Sequence, residues 1–418
     1  MRILYLAHRV PYPPNKGDKI RSYHHVRHLA RCHEVHLLSF VDEPGDDAGA
    51  QALRECCATV GLVRLDKKQA LVRGAWALAR GRSLSEGYFG CGAMRHAVAR
   101  AAAERRFDLA WAFSSVMASY LTNVNVPRRV VDIVDVDSEK WRQFADRSRG
   151  PLRWAYRLEA RRLRAFEASL GAWTDRVLFV SPGEVALFRS FCPQAADVRV
   201  IANGVDTEYF RATSGEIGPR QPQLLFTGAL DYRPNVEAVL SFARDILPLI
   251  RRDIPEARFV AVGHRPAARL LQEVSAHGGA LQIAGSVPDV RPYFRAARVY
   301  VAPLQLGRGV QNKILEAMAM RVPVVASPLA VAGLEVDAGR HALVCTRPEE
   351  FAAAVVSLLR DERRCRELTD AASHLIAERY SWEENLKLVD ACLDDCARPP
   401  REEPGSRQAP TMQTAALH

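Results

Sequence analysis

No apolar run in the 418 residues approaches the roughly 20 needed to cross a bilayer as a helix. The opening MRILYLAHRVPYPP is too short in its apolar part for a signal peptide and reads as a first buried strand. Nine cysteines, including the adjacent Cys56 and Cys57, show neither metal-ligand spacing nor a regular framework. Reduced thiols and a cytoplasmic setting are therefore expected, and a disulfide scaffold or a zinc module is not. There is no internal repeat. Acidic charge is short in one half only: residues 1–210 hold 32 Lys and Arg against 23 Asp and Glu, net +9, whereas the rest hold 26 against 25, net +1. The basic half calls for a polyanionic partner such as a membrane surface, nucleic acid or an anionic substrate. No recognition motif or aromatic stacking pattern accompanies that charge, which argues against nucleic acid.

What is present is an ordinary globular composition, 48% apolar and 25% charged, long enough for two domains with substantial cores. Short apolar strands alternate with helical stretches from end to end, the signature of βαβ units and parallel sheets. In the first half the pattern predicts strands over 2–7, 34–40, 60–65, 109–113, 129–134, 176–180 and 198–201. Helices are predicted over 19–30, 48–56, 94–104, 138–170 and 182–191. A second series begins near Gln223, with strands over 224–227, 258–262, 281–284, 299–302 and 322–326, and helices over 235–251, 267–276, 290–295, 313–320 and 349–359. This divides the chain into an N-terminal α/β domain (1–202), a C-terminal one (203–380), a last helix (381–398) crossing back to the first, and a disordered tail (399–418). The joint is placed at Asn203-Gly204 and the Thr/Ser/Gly/Pro-rich stretch after it.

The most informative segment is Leu304–Ser327, LQLGRGVQNKILEAMAMRVPVVAS. A glycine-bearing loop, with Gly309, Val310 and Asn312, runs into a short helix carrying Lys313 and Glu316, and a buried strand follows. In an α/β protein this sets free backbone N–H groups and the positive end of a helix at the carboxyl edge of a parallel sheet, a seat for a diphosphate. Lys313 adds a point charge for phosphate, and Glu316, one turn further on, can accept hydrogen bonds from a ribose diol. A solvated Lys/Glu pair at i, i+3 is the ordinary alternative.

With VIANGVDTEYF (200–210), the strand-end Gly228, the loop at Gly17-Asp18 and LEAMAMRVPVVAS in this order, the chain resembles the retaining glycosyltransferases of family 4, which have the GT-B fold. The phrases RILYLAHRVPYPPNKGDKIRSYHHVRHLA and VVDIVDVDSEKW are most similar to sugar transferases of exopolysaccharide biosynthesis, of the PEP-CTERM/exosortase-associated type. The resemblance implies two Rossmann-like domains facing across a cleft and a nucleotide-diphosphate sugar as co-substrate, held mainly by the C-terminal domain. No other cofactor and no metal are implied. The acceptor, lipid-linked or polysaccharide, would be held mainly by the N-terminal domain, at the inner face of the plasma membrane.

Glu316 matches the second glutamate of the family's E-x7-E motif. Gly17, Gly228, Arg233, Gly309, Val310, Asn312 and Lys313 fall where relatives contact the donor. One departure stands out: the first glutamate of the motif is replaced by Arg308, which cannot accept a hydrogen bond, so sugar recognition is expected to differ. Asp135, where many members carry histidine, and Asp18 are the candidate catalytic carboxylates, for orienting the acceptor hydroxyl or stabilising an oxocarbenium-like centre. Asp137 reads as a helix cap and Asp18 alternatively as a favourable N-terminal charge. His24, His25, His28, His33 and His36 lack a motif and are expected at the surface or in the core. Arg153, Arg157, Arg161 and Arg164 make a basic stripe suited to an anionic membrane or lipid diphosphate, against the commoner reading of a solvated face. A nucleotide-sugar-binding subunit without catalysis and an epimerase of the same fold are the alternatives.

Overall fold

The structure, a computed structural model, describes residues 1–43, 45–122, 124–195, 197–211, 221–307 and 309–397. The predicted disordered tail, most of the expected linker after Arg211, and Arg308 lie outside them. The chain divides into two compact units, one formed by Met1–Ile201 with the residues from Leu386 on, the other by Ala202–Asn385.

The first unit holds β1 (Arg2–Ala7), β2 (Glu34–Val41), β3 (Thr59–Arg64), β4 (Leu109–Phe113), β5 (Arg128–Val134), β6 (Arg176–Phe179) and β7 (Val198–Val200). They form a single sheet in the order β3-β2-β1-β4-β5-β6-β7, every pair parallel. β4 is apolar and buried along its whole length and β1 from Ile3 on, because helices cover both faces of a parallel sheet. The order reverses between β1 and β4, whose ends are aligned at Ala7 and Phe113. In doubly wound sheets ligands collect at the carboxyl ends of the strands at such a reversal.

The second unit repeats the plan with β8 (Gln223–Thr227), β9 (Arg258–Val262), β10 (Leu281–Gly285), β11 (Val299–Ala302), β12 (Val324–Ala326) and β13 (Leu343–Val344). Their order is β10-β9-β8-β11-β12-β13, all parallel, and the reversal falls between β8 and β11. Its core is one continuous cluster from Val205 to Tyr380.

Two predicted helices differ. The single helix expected over 138–170 is two, Asp137–Asp146 and Gly150–Trp173, because Gly150 takes φ +61° and Pro151 has no N–H to continue the ladder. The two pack on each other through Trp141, Phe144 and Tyr156, with ring centroids 5.4–6.0 Å apart. The helix expected over 235–251 runs Arg233–Asp253 but widens to a π turn at Phe242–Ile246, just before Pro248 removes a donor. Helices Lys67–Ala79 and Leu84–Phe89 fill a stretch with no predicted element. Asp66 caps the first through the amides of Lys68 and Gln69 (2.9 and 3.0 Å), and Ser83 with Glu86 forms a capping box on the second.

The first unit is tied together by a fully buried ion pair. Arg21, on helix Gly17–Cys32, meets Asp132 of β5 in bidentate fashion at 2.8 and 3.0 Å and donates to the Ile201 carbonyl at 2.7 Å. His25 sits beside Asp132 at 3.4 Å and against the edge of Trp111. The part of the last helix that belongs to the first unit, from Leu386 on, is tied to it by His28 on Asp390 (2.7 Å) and by Arg176 on Cys392. Cys32, Cys56, Cys57, Cys91, Cys192 and Cys345 are free thiols. Among the described residues no helix is long and apolar enough to cross a membrane.

Candidate functional site

In the second unit β8 ends at Thr227 and the chain turns at Gly228, whose φ of +146° suits only glycine. A methyl group there would lie 2.7 Å from Asn235 Nδ2 and 3.0 Å from Lys313 Nζ. This bare turn is therefore the wall of a small polar nest. Lys313 Nζ donates to Asn235 Oδ1 at 2.6 Å and lies 4.6 Å from the centroid of the Phe226 ring, while Asn235 Nδ2 donates to the Ala229 carbonyl at 2.9 Å. Across the sheet reversal, the loop after β11 enters helix Asn312–Ala319. Among the described residues no side chain caps that helix and no acidic residue stands in its first turn, so an anion there would meet the positive end of the helix dipole unopposed.

Burial pushes the Lys313 ammonium down to about 7, against the supporting charge of Glu316. Burial likewise raises Glu316 to about 7, with Lys313 opposing. Both side chains keep partial exposure, so an arriving ligand reaches them. An anion placed here would restore the ammonium's charge.

The donor residues proposed from sequence sort clearly. Gly228, Lys313, Asn312 and Glu316 gather at the reversal between β8 and β11. Gly309 takes φ +75°, and Val310 is half-buried against the core. Arg233 opens helix Arg233–Ser241 two residues before Asn235, with a long 3.9 Å contact to Glu237. Arg308 lies outside the described residues. Three contributors escaped the sequence. Asn235 holds Lys313. Gly333 lets the loop lie against it, since a methyl group there would come 2.9 Å from the Gly309 carbonyl carbon and oxygen. Asn203 donates to Asn312 Oδ1 at 3.0 Å. Asn203-Gly204 was read as a linker turn, but Asn203 is buried and Gly204 is pressed on Trp382, where a methyl group would meet its backbone N at 2.6 Å. Only the motif GALDYRPN, placing an amide seven residues after Gly228, could have flagged Asn235.

In the first unit Gly17 opens helix Gly17–Cys32, and Asp18 stands in its first turn. Asp18 is more than a charge at a helix start. Its Oδ2 meets Arg9 Nη1 at 2.9 Å and His8 Nε2 at 3.3 Å, and its Oδ1 accepts from the Lys19 amide at 2.9 Å. Burial alone would raise its pKa, but the His8 bond, the His8 and Arg9 charges and the Lys19 amide together hold it well below the usual carboxylate range. Asp18 is thus a fixed anion, suited to accepting a hydroxyl's hydrogen bond and poor as a general base at neutral pH. His8 follows β1 directly, stacked on Phe113 at 5.7 Å and edge-on to Phe89 at 5.8 Å. Neither His8 nor Arg9 was singled out in the sequence.

Asp135 behaves oppositely. It follows β5 beyond Val134, itself at φ +73°, and its Oδ1 is buried without a hydrogen-bond partner among the described residues. Burial, with the charges of Glu184 and Asp137, lifts it to about 7. No hydrogen bond or ion pair joins Asp135 to Asp18 among the described residues. The predicted capping role of Asp137 is corrected: it makes no cap bond. The Ser138 amide and hydroxyl go to Glu167 (3.2 and 2.5 Å), and the Val136 amide goes to Glu184 (2.8 Å), carboxylates supplied by later helices. Of the basic stripe, Arg153, Arg157 and Arg161 are exposed, whereas Arg164 is drawn to Glu139 at 3.2 Å and lies over the Phe191 ring. The five histidines fall as expected, His25 and His36 in the interior and the others partly exposed.

The fold defines a class: two parallel-sheet Rossmann-like α/β units of the GT-B type, with a glycine-bearing loop leading into a helix at the sheet reversal of the second. Comparison with known proteins is more particular. Residues 221–361 match the family model described as "Glycosyl transferases group 1". The chain is 31% identical over 197 residues to the phosphatidyl-myo-inositol mannosyltransferase of Mycobacterium tuberculosis, a match covering 45% of this chain and 51% of that one. It is 29% identical over 252 residues to the GDP-mannose-dependent alpha-(1-6)-phosphatidylinositol monomannoside mannosyltransferase of the same organism, covering 55% and 64%. The chain thus spans about half to two thirds of the length of these curated relatives. Among solved structures, sucrose-phosphate synthase of Thermosynechococcus elongatus superposes with a TM-score of 0.70 at 16% identity, over 94% of this chain and 99% of that one, a likeness of fold.

Proposed function

We propose that the protein is a glycosyltransferase that moves a sugar from a nucleotide-diphosphate sugar to a lipid-linked or polysaccharide acceptor, with retention of configuration, in exopolysaccharide or cell-envelope glycan synthesis. The observation that carries this reading is the Gly228–Asn235–Lys313 nest beside the uncapped start of helix Asn312–Ala319, inside the segment that matches the family. The amides and the Lys313 ammonium receive the diphosphate and stabilise it as a leaving group, and Glu316 accepts from the ribose. Charge neutralisation by these groups makes the transfer metal-independent, so a chelator leaves turnover unchanged. Asp18, fixed as a carboxylate, orients an acceptor hydroxyl. Asp135, poised near neutrality, supports the developing positive charge at the sugar. Arg308 in place of a glutamate points to a sugar contact of another kind, through phosphate or an acidic sugar. The GDP-mannose dependence of one relative makes GDP-mannose the first donor to test. The stripe of Arg153, Arg157 and Arg161 supports an acceptor presented at the inner face of a membrane.

The deciding experiment incubates the protein with a panel of nucleotide sugars and membrane-extracted acceptors and analyses the products. Nucleotide release with an α-linked product from an α-linked donor is expected. An isomerised donor would indicate an epimerase, and binding without turnover a carrier subunit; either outcome refutes the proposal.

A further inference from the structure

Helix Lys67–Ala79 is apolar on the side that faces away from the protein. Ala70, Gly74 and Ala77 make its buried face, and Gly87 of the next helix closes on it so tightly that a methyl group there would lie 2.4 Å from Ala77 Cβ. The outer face carries Leu71, Val72 and Trp76, which are 58%, 70% and 59% exposed. Globular domains seldom leave three large apolar side chains together on one helix face without a use for them.

A second exposed apolar pair lies on a helix joined to this helix pair. Leu152 and Trp154, 50% and 71% exposed, lie on the first turn of helix Gly150–Trp173. That helix and the helix pair 67–89 are locked together. Arg162 donates to the carbonyls of Leu78 and Arg82, and Glu159 accepts from the Ser85 amide (3.0 Å) and hydroxyl (2.7 Å).

The charged residues along these two stretches of chain have one sign. Residues 67–82 contain Lys67, Lys68, Arg73, Arg80 and Arg82 and no acidic residue, and 147–157 contain Arg147, Arg149, Arg153 and Arg157 and no acidic residue. Arg80 lies over the Trp76 ring, 4.3 Å from its centroid, so the indole carries a cation on its face. An apolar body with a cationic rim is the arrangement of interfacial anchors, in which tryptophan sits at headgroup depth and the basic tips reach lipid phosphates.

We infer that Leu71, Val72, Trp76, Leu152 and Trp154, rimmed by the basic side chains of both helices, form a surface that inserts into the headgroup layer of an anionic bilayer. The inference deepens the proposed function by naming the surface through which the enzyme would meet a membrane-borne acceptor, and it is independent of the nucleotide nest in the other unit.

The test uses full-length protein and vesicles of phosphatidylcholine with about one quarter phosphatidylglycerol. Binding is expected at low salt, weakened by high salt, and accompanied by a blue shift of tryptophan emission that diminishes in Trp76→Phe and Trp154→Phe. Trp76→Ser with Trp154→Ser should weaken binding by on the order of a hundredfold. Arg153→Gln with Arg157→Gln should weaken it by roughly twentyfold. Both variants should keep the nucleotide-induced thermal shift of the parent, which shows that they are folded. Equal binding to pure phosphatidylcholine, no binding at all, self-association abolished by the serine pair, or RNA binding with the same sensitivity would each overturn the inference. Vesicle binding without any nucleotide shift would overturn the proposed function and leave this surface standing.

Discussion

Replacing Lys313 with methionine keeps the bulk of the side chain and removes its charge. In the nest the Lys313 ammonium bonds to Asn235 Oδ1 at 2.6 Å and lies against Phe226, and burial has pushed its pKa down to about 7. A diphosphate arriving at the helix start brings negative charge within hydrogen-bond reach and favours the protonated form. A charge-assisted hydrogen bond of this kind contributes about 1.5–3 kcal/mol net, roughly a 10- to 150-fold change in Kd for the nucleoside diphosphate. The sign of the pH dependence follows. The free-state pKa is near 7 and the bound-state value is higher, so Lys313's contribution is complete below about 7. Above that it falls by up to about tenfold per pH unit, because binding must take up a proton. Glu316, raised to about 7, acts oppositely, since the ribose needs its carboxylate form. Affinity should therefore peak near neutrality. Glu316→Gln should abolish the acidic limb and Lys313→Met the alkaline one. Titration calorimetry in two buffers of different ionisation enthalpy reads the proton directly: uptake by the parent at about pH 8, none by Lys313→Met. An unchanged Kd with unchanged proton uptake in Lys313→Met would refute the assignment of the nest.

Other outcomes are equally specific. Gly228→Ala must displace Asn235 or Lys313 while holding an alanine at φ +146°, a strain of about 1–3 kcal/mol. Nucleotide binding should be lost and the Tm lowered, and a variant with parental affinity would show that the tight turn does not shape the site. Asp135→Asn should reduce turnover by about 10²–10⁴-fold with donor Kd unchanged. It should also erase the rise in kcat/KM through about pH 7 that the raised Asp135 carboxyl predicts; an intact limb would assign that titration elsewhere. Arg21→Ala strands the wholly buried Asp132 carboxylate and should cost about 3–5 kcal/mol in urea unfolding. A loss under about 1 kcal/mol would show that water reaches that pair.

Much of the architecture is legible in the sequence. β1, β4, β9 and β11 lie where continuous apolar runs of four or five residues put them, because a strand covered on both faces has no polar position to blur the signal. Helix Lys67–Ala79 was not readable, because its outer face is as apolar as its inner one and the period of 3.6 is hidden. The break at Gly150-Pro151 was written in the residues, yet the apolar spacing of Leu152 to Leu170 masked it.

The sequence by itself determined the two parallel α/β series and the glycine loop leading to Lys313 and Glu316, since strand burial, helix period and loop chemistry act within a few residues of one another. Only the tertiary structure decided which side chains those local elements meet. Asn235 reaches Lys313 from 78 positions away, His8 and Arg9 hold Asp18, Glu167 and Glu184 take the amides that Asp137 was expected to take, and Asp135 is left with an unpartnered oxygen. Hydrogen bonds and desolvation act over about 3 Å of space whatever the separation along the chain, so two aspartates alike in sequence end as a fixed anion and a group that titrates near neutrality.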